Sequence, residues 1–481
     1  MSELKKQTIS GVKWLVGSSF LQKGIQLIAT VILARILGPA EFGLFALAFI
    51  AIEALGLFKS MGFDSALIQR KGDIEKAANT VFFIMPFLGI VMYLILALSA
   101  PLIGKFMNNQ DVVGVIKALG LIFIFSCLGK VPSALMEKNM QFKKVSIIEL
   151  SSIIIYSLAA IILAFFKMGI WSLVVAYILK TLNSNILFWV FSKWRPRFEF
   201  DKKIALEMFH FGKFLFLGGV VMFLKMNLDN VLVGKLLGIA TLGLYGIAFN
   251  ISNFCSDYFG AKAYRVVYPA YSKLQSDIYD LRAAILKTLK YISIIAIPFG
   301  AFIFLFSKEL LLLIYGEKWI EGSGVLKILV FAGIFNTLPA GMGAALLAYG
   351  KARLAFWIIT IQVILFFIFI APMARLFGIN GVGIIVSATG ILTFIITTIW
   401  SMKLFFIKLS DIYLRLKTAL FSSLIMILAV ILFKNLLLQT STIRFYNYNL
   451  IIAFIISPII YIFSLSKLEN ATFKELKGMI L

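Results

Sequence analysis

Apolar stretches of about 18–25 residues succeed one another along the whole chain, separated by short polar breaks. Each is long enough, as a helix, to cross roughly 30 Å of hydrocarbon. Fourteen spans can be drawn, at 11–34, 42–62, 80–103, 114–135, 147–166, 170–192, 208–233, 241–262, 286–307, 325–348, 354–374, 381–402, 416–434 and 449–465. The expected fold class is therefore all-α, a polytopic membrane protein with about 14 transmembrane helices. The first run begins near Gly11 and is too long for the apolar part of a cleavable signal, so none is expected. An even number of spans puts both termini on one side. The loops after every second span, with the two tails, carry roughly three times as many Lys and Arg as the alternate loops, which places both termini in the cytoplasm. The most basic of these loops, SKWRPRFEFDKK at Ser192–Lys203, joins two halves of the chain. Connections on the other side are short, with no room for an outer domain.

The two halves are copies. ILARILGPAEFGLF at Ile32–Phe45 returns as VLVGKLLGIATLGLYGI at Val231–Ile247, with Arg35, Leu37, Gly38, Gly43 and Leu44 falling on Lys235, Leu237, Gly238, Gly243 and Leu244. A helix-ending Gly with a Pro or small residue in the next first turn suits a tight helical hairpin. Further along, MPFLG at Met85–Gly89 matches IPFGA at Ile297–Ala301. Lys130–Lys144 resembles Thr337–Lys351, and FKMGIW at Phe166–Trp171 resembles LFGING at Leu376–Gly381. Each copy holds six spans, so both enter the membrane in the same direction and the pseudo-two-fold axis should run along the membrane normal. The expected organisation is an N-terminal six-helix bundle at 1–192, a basic cytoplasmic linker at 193–207, a second six-helix bundle at 208–404, and two additional helices with a cytoplasmic tail at 405–481.

Composition agrees with this picture. The chain is 61% hydrophobic, against roughly 45–50% in soluble proteins. Its net charge of +24 is best explained by basic residues on cytoplasmic helix ends, so no nucleic-acid partner is expected. Cys127 and Cys255 both lie in apolar runs and suggest no disulfide framework. His210 is the single histidine, which excludes a Ser-His-Asp site elsewhere and reads as an interfacial side chain. No nucleotide-binding loop and no Cys/His or HExxH metal motif occurs, so neither a catalytic residue, a metal nor a cofactor is expected.

The chemistry should sit where charge is buried at depth. A charge inside a span is costly and normally faces an interior or a wet cavity. Lys23 and Glu53 both lie about 21 Å from the first hairpin turn at 1.5 Å per residue, near the midplane. Lys225 and Asn253 occupy the same depth around the second turn, and Glu53 is equivalent to Asn253 in the repeat. Asn250, Asn253 and Asp257 fall on one helical face, and Lys225 and Asp229 form an i, i+4 pair. Lys59, Lys262 and Arg265 continue toward the cytoplasm, and Lys180 stands mid-span. The candidate substrate-binding set of a cationic cavity is thus Lys23, Lys59, Lys180, Lys225, Asn250, Asn253, Lys262 and Arg265. Glu53, Asp229 and Asp257 are the candidates for coupling to H⁺ or Na⁺. Pro86 and Pro298 interrupt spans in both copies and are hinge candidates.

GVKWLVGSSFLQKGIQLIATVILARILGPAEFGLFALA near the start, NLDNVLVGKLLGIATLGLYGIAFN, YPAYSKLQSDIYDLR and YGEKW (Tyr315–Trp319) resemble bacterial polysaccharide flippases of the Wzx/WzxC/TuaB kind. These belong to the multidrug/oligosaccharidyl-lipid/polysaccharide exporter superfamily. The resemblance spans nearly the whole chain. It implies two six-helix bundles in a V shape plus two further helices, in a bacterial inner membrane. It also implies movement of an undecaprenyl-pyrophosphate-linked glycan from the cytoplasmic to the outer leaflet by alternating access, with the bilayer, a polysaccharide polymerase and other assembly proteins as partners. Lysine is an adequate point-charge partner for such a pyrophosphate. Two alternatives are a drug or cation antiporter of the same superfamily, which would favour an acidic cavity, and a membrane enzyme of polysaccharide assembly, which short outer loops disfavour.

Overall fold

A computed structural model describes residues 2–60, 63–70, 72–438 and 446–469. These residues form helices and turns only. In order they are α1 (Ser2–Ile36), α2 (Pro39–Ser60), α3 (Phe63–Gln69), α4 (Ile74–Phe106), α5 (Asp111–Leu128), α6 (Lys130–Lys138), α7 (Phe142–Phe165), α8 (Ile170–Phe191), α9 (Lys202–Leu237), α10 (Ile239–Ser252), α11 (Ala261–Leu274), α12 (Ile278–Leu310), α13 (Ser323–Thr337), α14 (Ala340–Ala348), α15 (Ala352–Phe405), α16 (Leu409–Leu438) and α17 (Tyr446–Leu468). Ten stretches among the described residues have the length and apolarity to cross a membrane. The chain is a multi-pass membrane protein. Of the expected tail, residues 470–481 lie outside the described residues.

The duplication shows in the order and size of the elements. α4 and α12 are each 33 residues long, and the short α6 and α14 that come after their neighbours are each 9 residues long. The hairpin α7–α8 corresponds to the single long α15, which breaks at Gly378 with φ 57° and ψ −142°. Gly169, between α7 and α8, has φ 54° and ψ −133°. A side chain at either position would be strained, so each copy keeps glycine there. α15 therefore holds two of the expected spans. The equivalent glycines are one register away from the sequence matching of Phe166–Trp171 with Leu376–Gly381, because side-chain similarity sets that matching and the backbone turn does not.

Contacts divide the chain into two compact units, Met1–Gly243 and Leu244–Leu481. In the first unit α1 packs on α7, α4 on α5, and α7 on α8, while α9 lies on α2, α3 and α4. The hairpin turns α1–α2 and α9–α10 meet through glycine. A Cβ on Gly43 would lie 1.8 Å from the Ile239 carbonyl oxygen, and one on Gly243 would lie 1.9 Å from that of Pro39. The contact is reciprocal under the 200-residue repeat offset, which explains why both copies keep this Gly. In the second unit the core runs through Leu281, Ile285, Leu289, Met342 and Phe405, where α11, α12, α14 and α15 converge. α16 packs on α12, and Tyr461 of α17 donates its hydroxyl to the Ile294 carbonyl of α12.

The basic segment 192–203 is an ordered strap. Asn79, fully buried on α4, accepts from the Arg197 backbone N–H at 3.0 Å and donates to Glu199 at 3.3 Å. Thr80 Oγ1 accepts from the Asp201 N–H at 3.1 Å. Arg197 pairs with Glu75, and Lys76 with Asp201. Asp201 also caps α9, accepting from the Lys203 and Ile204 N–H groups. The Ile204 bond, then Lys76, holds its carboxyl below the usual carboxylate range. Trp194 joins Phe82 and Trp189 in an aromatic cluster beneath the strap.

Candidate functional site

Charged side chains converge inside the spans of the first unit. Lys180 sits on α8, half-buried, with its Nζ 5.0 Å from the centroid of the Tyr177 ring one turn before it. It feels the charges of Glu149 on α7 and of Lys23 on α1. Gln22, next to Lys23, donates to Glu149 at 3.4 Å. Glu53 on α2 accepts from Asn227 Nδ2 on α9 at 3.4 Å and lies near Tyr177. Phe45 and Phe49 of α2 pack edge-on against the Tyr177 ring, and Tyr156 closes the aromatic cluster from α7. The result is a mixed layer of two ammonium groups, two carboxylates and an aromatic wall. Lys23, Glu53 and Glu149 are exposed at the surface of the unit and available to a solute or counter-ion.

The structure thus brings Lys23, Glu53 and Lys180 into one neighbourhood. Lys23 and Glu53 do not form a direct ion pair; Asn227 takes the Glu53 contact. Glu149, Gln22 and Asn227 belong to the same layer and are absent from the sequence-derived set. The side chains of Lys59 and Lys225 lie outside the described residues. Asp229 of α9 is buried and accepts from both the backbone and the side chain of Asn230, at 2.9 and 3.3 Å.

The remaining candidates lie in the second unit. The stretch expected as a span over 241–262 is helical but changes its hydrogen-bonding pattern along the way. α10 ends at Ser252, and a π-helical turn at Ser256–Gly260 precedes α11. Such a turn inserts a residue and rotates the helix beyond it. α13 packs closely on this point: a Cβ on Gly333 would lie 1.9 Å from the Ser252 carbonyl oxygen. Ordinary helical hydrogen bonds link Asn253 N–H to Phe249 O and Asp257 N–H to Asn253 O across this stretch, and the three polar candidates differ in burial. Asn253 is 6% exposed and bonded to Phe249 O and Ser252 Oγ, while Asn250 and Asp257 are exposed. Lys262 is exposed with its Nζ 5.6 Å from the Tyr258 ring centroid, and Arg265 is exposed on the next turn.

Both helices stay helical through the hinge candidates Pro86 and Pro298; the break in α12 comes later, at Phe306 (φ −111°, ψ 17°). The neighbouring glycines carry the tighter constraint. A Cβ on Gly89 would lie 2.8 Å from Phe123 O of α5, and one on Gly300 would lie 2.4 Å from the Ile334 side chain of α13. Among the described residues no three His, Cys, Asp or Glu side chains are placed to hold a metal ion. His210 is exposed, with Nδ1 3.3 Å from the Leu206 carbonyl oxygen.

Long apolar helices in duplicate, with charges gathered inside the spans, define a polytopic membrane transporter. The profile of the polysaccharide biosynthesis protein family matches residues 32–323, more than half of the chain, and the chain belongs to that family. It is similar to the lipopolysaccharide biosynthesis protein WzxC of Escherichia coli (strain K12), 28% identical over 355 residues covering 73% of this chain and 72% of that one. It is similar also to the teichuronic acid biosynthesis protein TuaB of Bacillus subtilis (strain 168), 27% identical over 360 residues covering 74% of each. Among solved structures, the lipid II flippase MurJ in an inward closed conformation aligns with a TM-score of 0.74, covering 95% of this chain and 99% of that chain at 15% identity. At that identity the likeness is one of fold.

Proposed function

We propose that this protein is a flippase that carries an undecaprenyl-pyrophosphate-linked oligosaccharide from the cytoplasmic to the outer leaflet of a bacterial inner membrane. The observation that carries the reading is the layer of Lys23, Lys180, Glu53 and Glu149 inside the apolar helices of a member of the polysaccharide biosynthesis family. The ammonium groups attract the pyrophosphate, and the Tyr177–Tyr156–Phe49 wall offers flat apolar area to sugar rings. Glu53 and Glu149 sit where a proton or Na⁺ can exchange for substrate, which supports ion-driven alternating access. Lys225, Lys59, Lys262 and Arg265 remain candidates for further substrate contacts, with Asn250 and Asn253, and Asp229 and Asp257 remain candidates for ion coupling. Fourteen spans with both termini cytoplasmic fit the distribution of basic residues. The structural similarity to a lipid II flippase and the names of the relatives, which concern lipopolysaccharide and teichuronic acid synthesis, support the substrate class.

The test is translocation of a pyrophosphate-linked polyprenyl oligosaccharide in proteoliposomes. Wild type should flip it, and Lys23→Ala/Lys180→Ala should lose most of that activity while retaining normal insertion. Equal activity in the double variant removes the cationic layer from the mechanism.

A further inference from the structure

The first unit carries a cavity whose lining includes none of the residues of the charged layer. Where α5 and α8 reach the strap, they leave a cavity of about 450 Å³. Its walls are Phe125 and Leu128 from α5 and Leu182, Ile186 and Val190 from α8, with one polar residue among them, Asn185, whose Nδ2 donates to the Thr181 carbonyl. Leu128, Ile186 and Val190 are exposed. Exposed apolar side chains on spans of this kind are covered by hydrocarbon. Trp189 stands at the end of the cavity, within the Trp189–Trp194 cluster, and paired indoles mark the level where hydrocarbon meets headgroups.

Arg195 closes the polar end. Its Nη1 donates to the carbonyls of Ser192 and Trp194, both at 2.8 Å, and its guanidinium lies 5.8 Å from the Trp189 ring centroid. These contacts fix the side chain across the cavity mouth. Among the described residues it has no carboxylate partner, in contrast to Arg197 two positions on, which pairs with Glu75 at 3.2 Å. A held cation lacking a counter-charge, at interface depth above an apolar slot, complements a lipid with one anionic phosphodiester. A pyrophosphate would call for more positive charge than one guanidinium supplies.

We infer that the α5–α8 groove binds one anionic phospholipid from the leaflet on the strap side, its phosphodiester on Arg195 and an acyl chain along Leu182, Ile186 and Phe125. The bound lipid would brace the strap against α8. This occupant is a resident of the bilayer, separate from the transported glycan lipid, and the inference stands whether or not the flippase reading does.

Native mass spectrometry of the purified full chain, titrated with phosphatidylglycerol and phosphatidylcholine, tests the assignment. One phosphatidylglycerol should bind in preference to phosphatidylcholine. Arg195→Gln should weaken that adduct roughly tenfold, the loss of one charge-assisted contact. Arg197→Gln removes the same net charge and should leave it unchanged. Ile186→Trp, at a position 60% exposed, fills the slot without disturbing a core and should also weaken it. Equal weakening by the two arginine variants would mean diffuse attraction and overturn the site. So would equal binding of the two lipids, undiminished binding by Ile186→Trp, or displacement of phosphatidylglycerol by equimolar undecaprenyl phosphate.

Discussion

One methyl group added at the reciprocal glycine crossing should loosen the first unit measurably. Gly43→Ala adds a Cβ that would start 1.8 Å from the Ile239 carbonyl oxygen, where ordinary contact begins near 3.4 Å. The obstacle is backbone, so it cannot rotate away, and the turns must part by about 1.6 Å. A radial gap of 0.5–1 Å already forfeits about a quarter to a half of the dispersion well of each facing pair. Overpacking of this sort costs about 1–3 kcal/mol, and the better helix propensity of Ala returns about 0.5–1 kcal/mol. The net expectation is a loss of about 1 kcal/mol, within a range of about 0–2.5 kcal/mol. Gly56 lies on the same helix with nothing within 4 Å of its would-be Cβ, so Gly56→Ala should gain the propensity alone. Gly243→Ala should mirror Gly43→Ala. The double variant should cost less than the sum, because one parting of the turns relieves both clashes. Thermal unfolding of the four purified variants in one detergent, scored by loss of the monodisperse peak, measures the ranking. Gly43→Ala as stable as Gly56→Ala, or full additivity of the pair, would refute the reasoning.

The same kinds of contact set other expectations. Gly89→Ala should destabilise by less than Gly43→Ala, about 0.5–1 kcal/mol, since its Cβ meets Phe123 O at 2.8 Å, while Pro86→Ala should change stability and transport little; the reverse order would restore proline as the hinge. Asp201 is held below the usual value of 3.8, chiefly by the Ile204 N–H and then by Lys76. Its contribution is complete above that value and is lost as pH falls through the lowered one. Protease resistance of the 192–203 strap should therefore hold from neutral pH to about pH 4 and fall below it, a fall that Asp201→Asn should abolish. Glu53→Gln should flatten the dependence of transport on pH or Na⁺ in proteoliposomes, and an unchanged profile would clear Glu53 of coupling.

Hydropathy made the helices legible, and the repeated hairpin made the duplication legible, because both are written in many residues at once. Local backbone events were harder. The stretch 241–262 reads as one regular apolar helix, and neither its π-helical turn at Ser256–Gly260 nor its close approach to Gly333, some 80 residues away, has a local signal. The strap reads as a basic linker by composition. Its contacts run to Asn79 and Thr80, and to Glu75 and Lys76, in the first two turns of α4. MPFLG and IPFGA match most visibly through their proline, whereas helix approach is limited by the glycine beside it. The charged layer was half visible. Lys23, Glu53 and Lys180 could be found by depth. Glu149 and Asn227 were missed: Glu149 stands in the second turn of α7 like an ordinary helix-end carboxylate, and Asn227 carries no charge to set it apart beside Lys225 and Asp229.

The two copies differ in an ordered way. Gly169 and Gly378 share a backbone conformation, and eleven residues after each stand Lys180 and Thr389. The turn is kept and the charge is not. Gly43 and Gly243 are kept by mutual contact, while Glu53 is matched by Asn253 across the same offset. A backbone crossing has essentially one solution, the absence of a side chain, so both copies must retain it. A binding layer has no such requirement, because a lipid-linked glycan has no two-fold symmetry to match. Recognition is thus expected at positions where the copies have diverged. The residues that choose the glycan are therefore to be sought among pairs such as Lys180/Thr389 and Glu53/Asn253. Exchanging the members of such a pair should alter which lipid-linked substrate is flipped before it alters whether the protein folds.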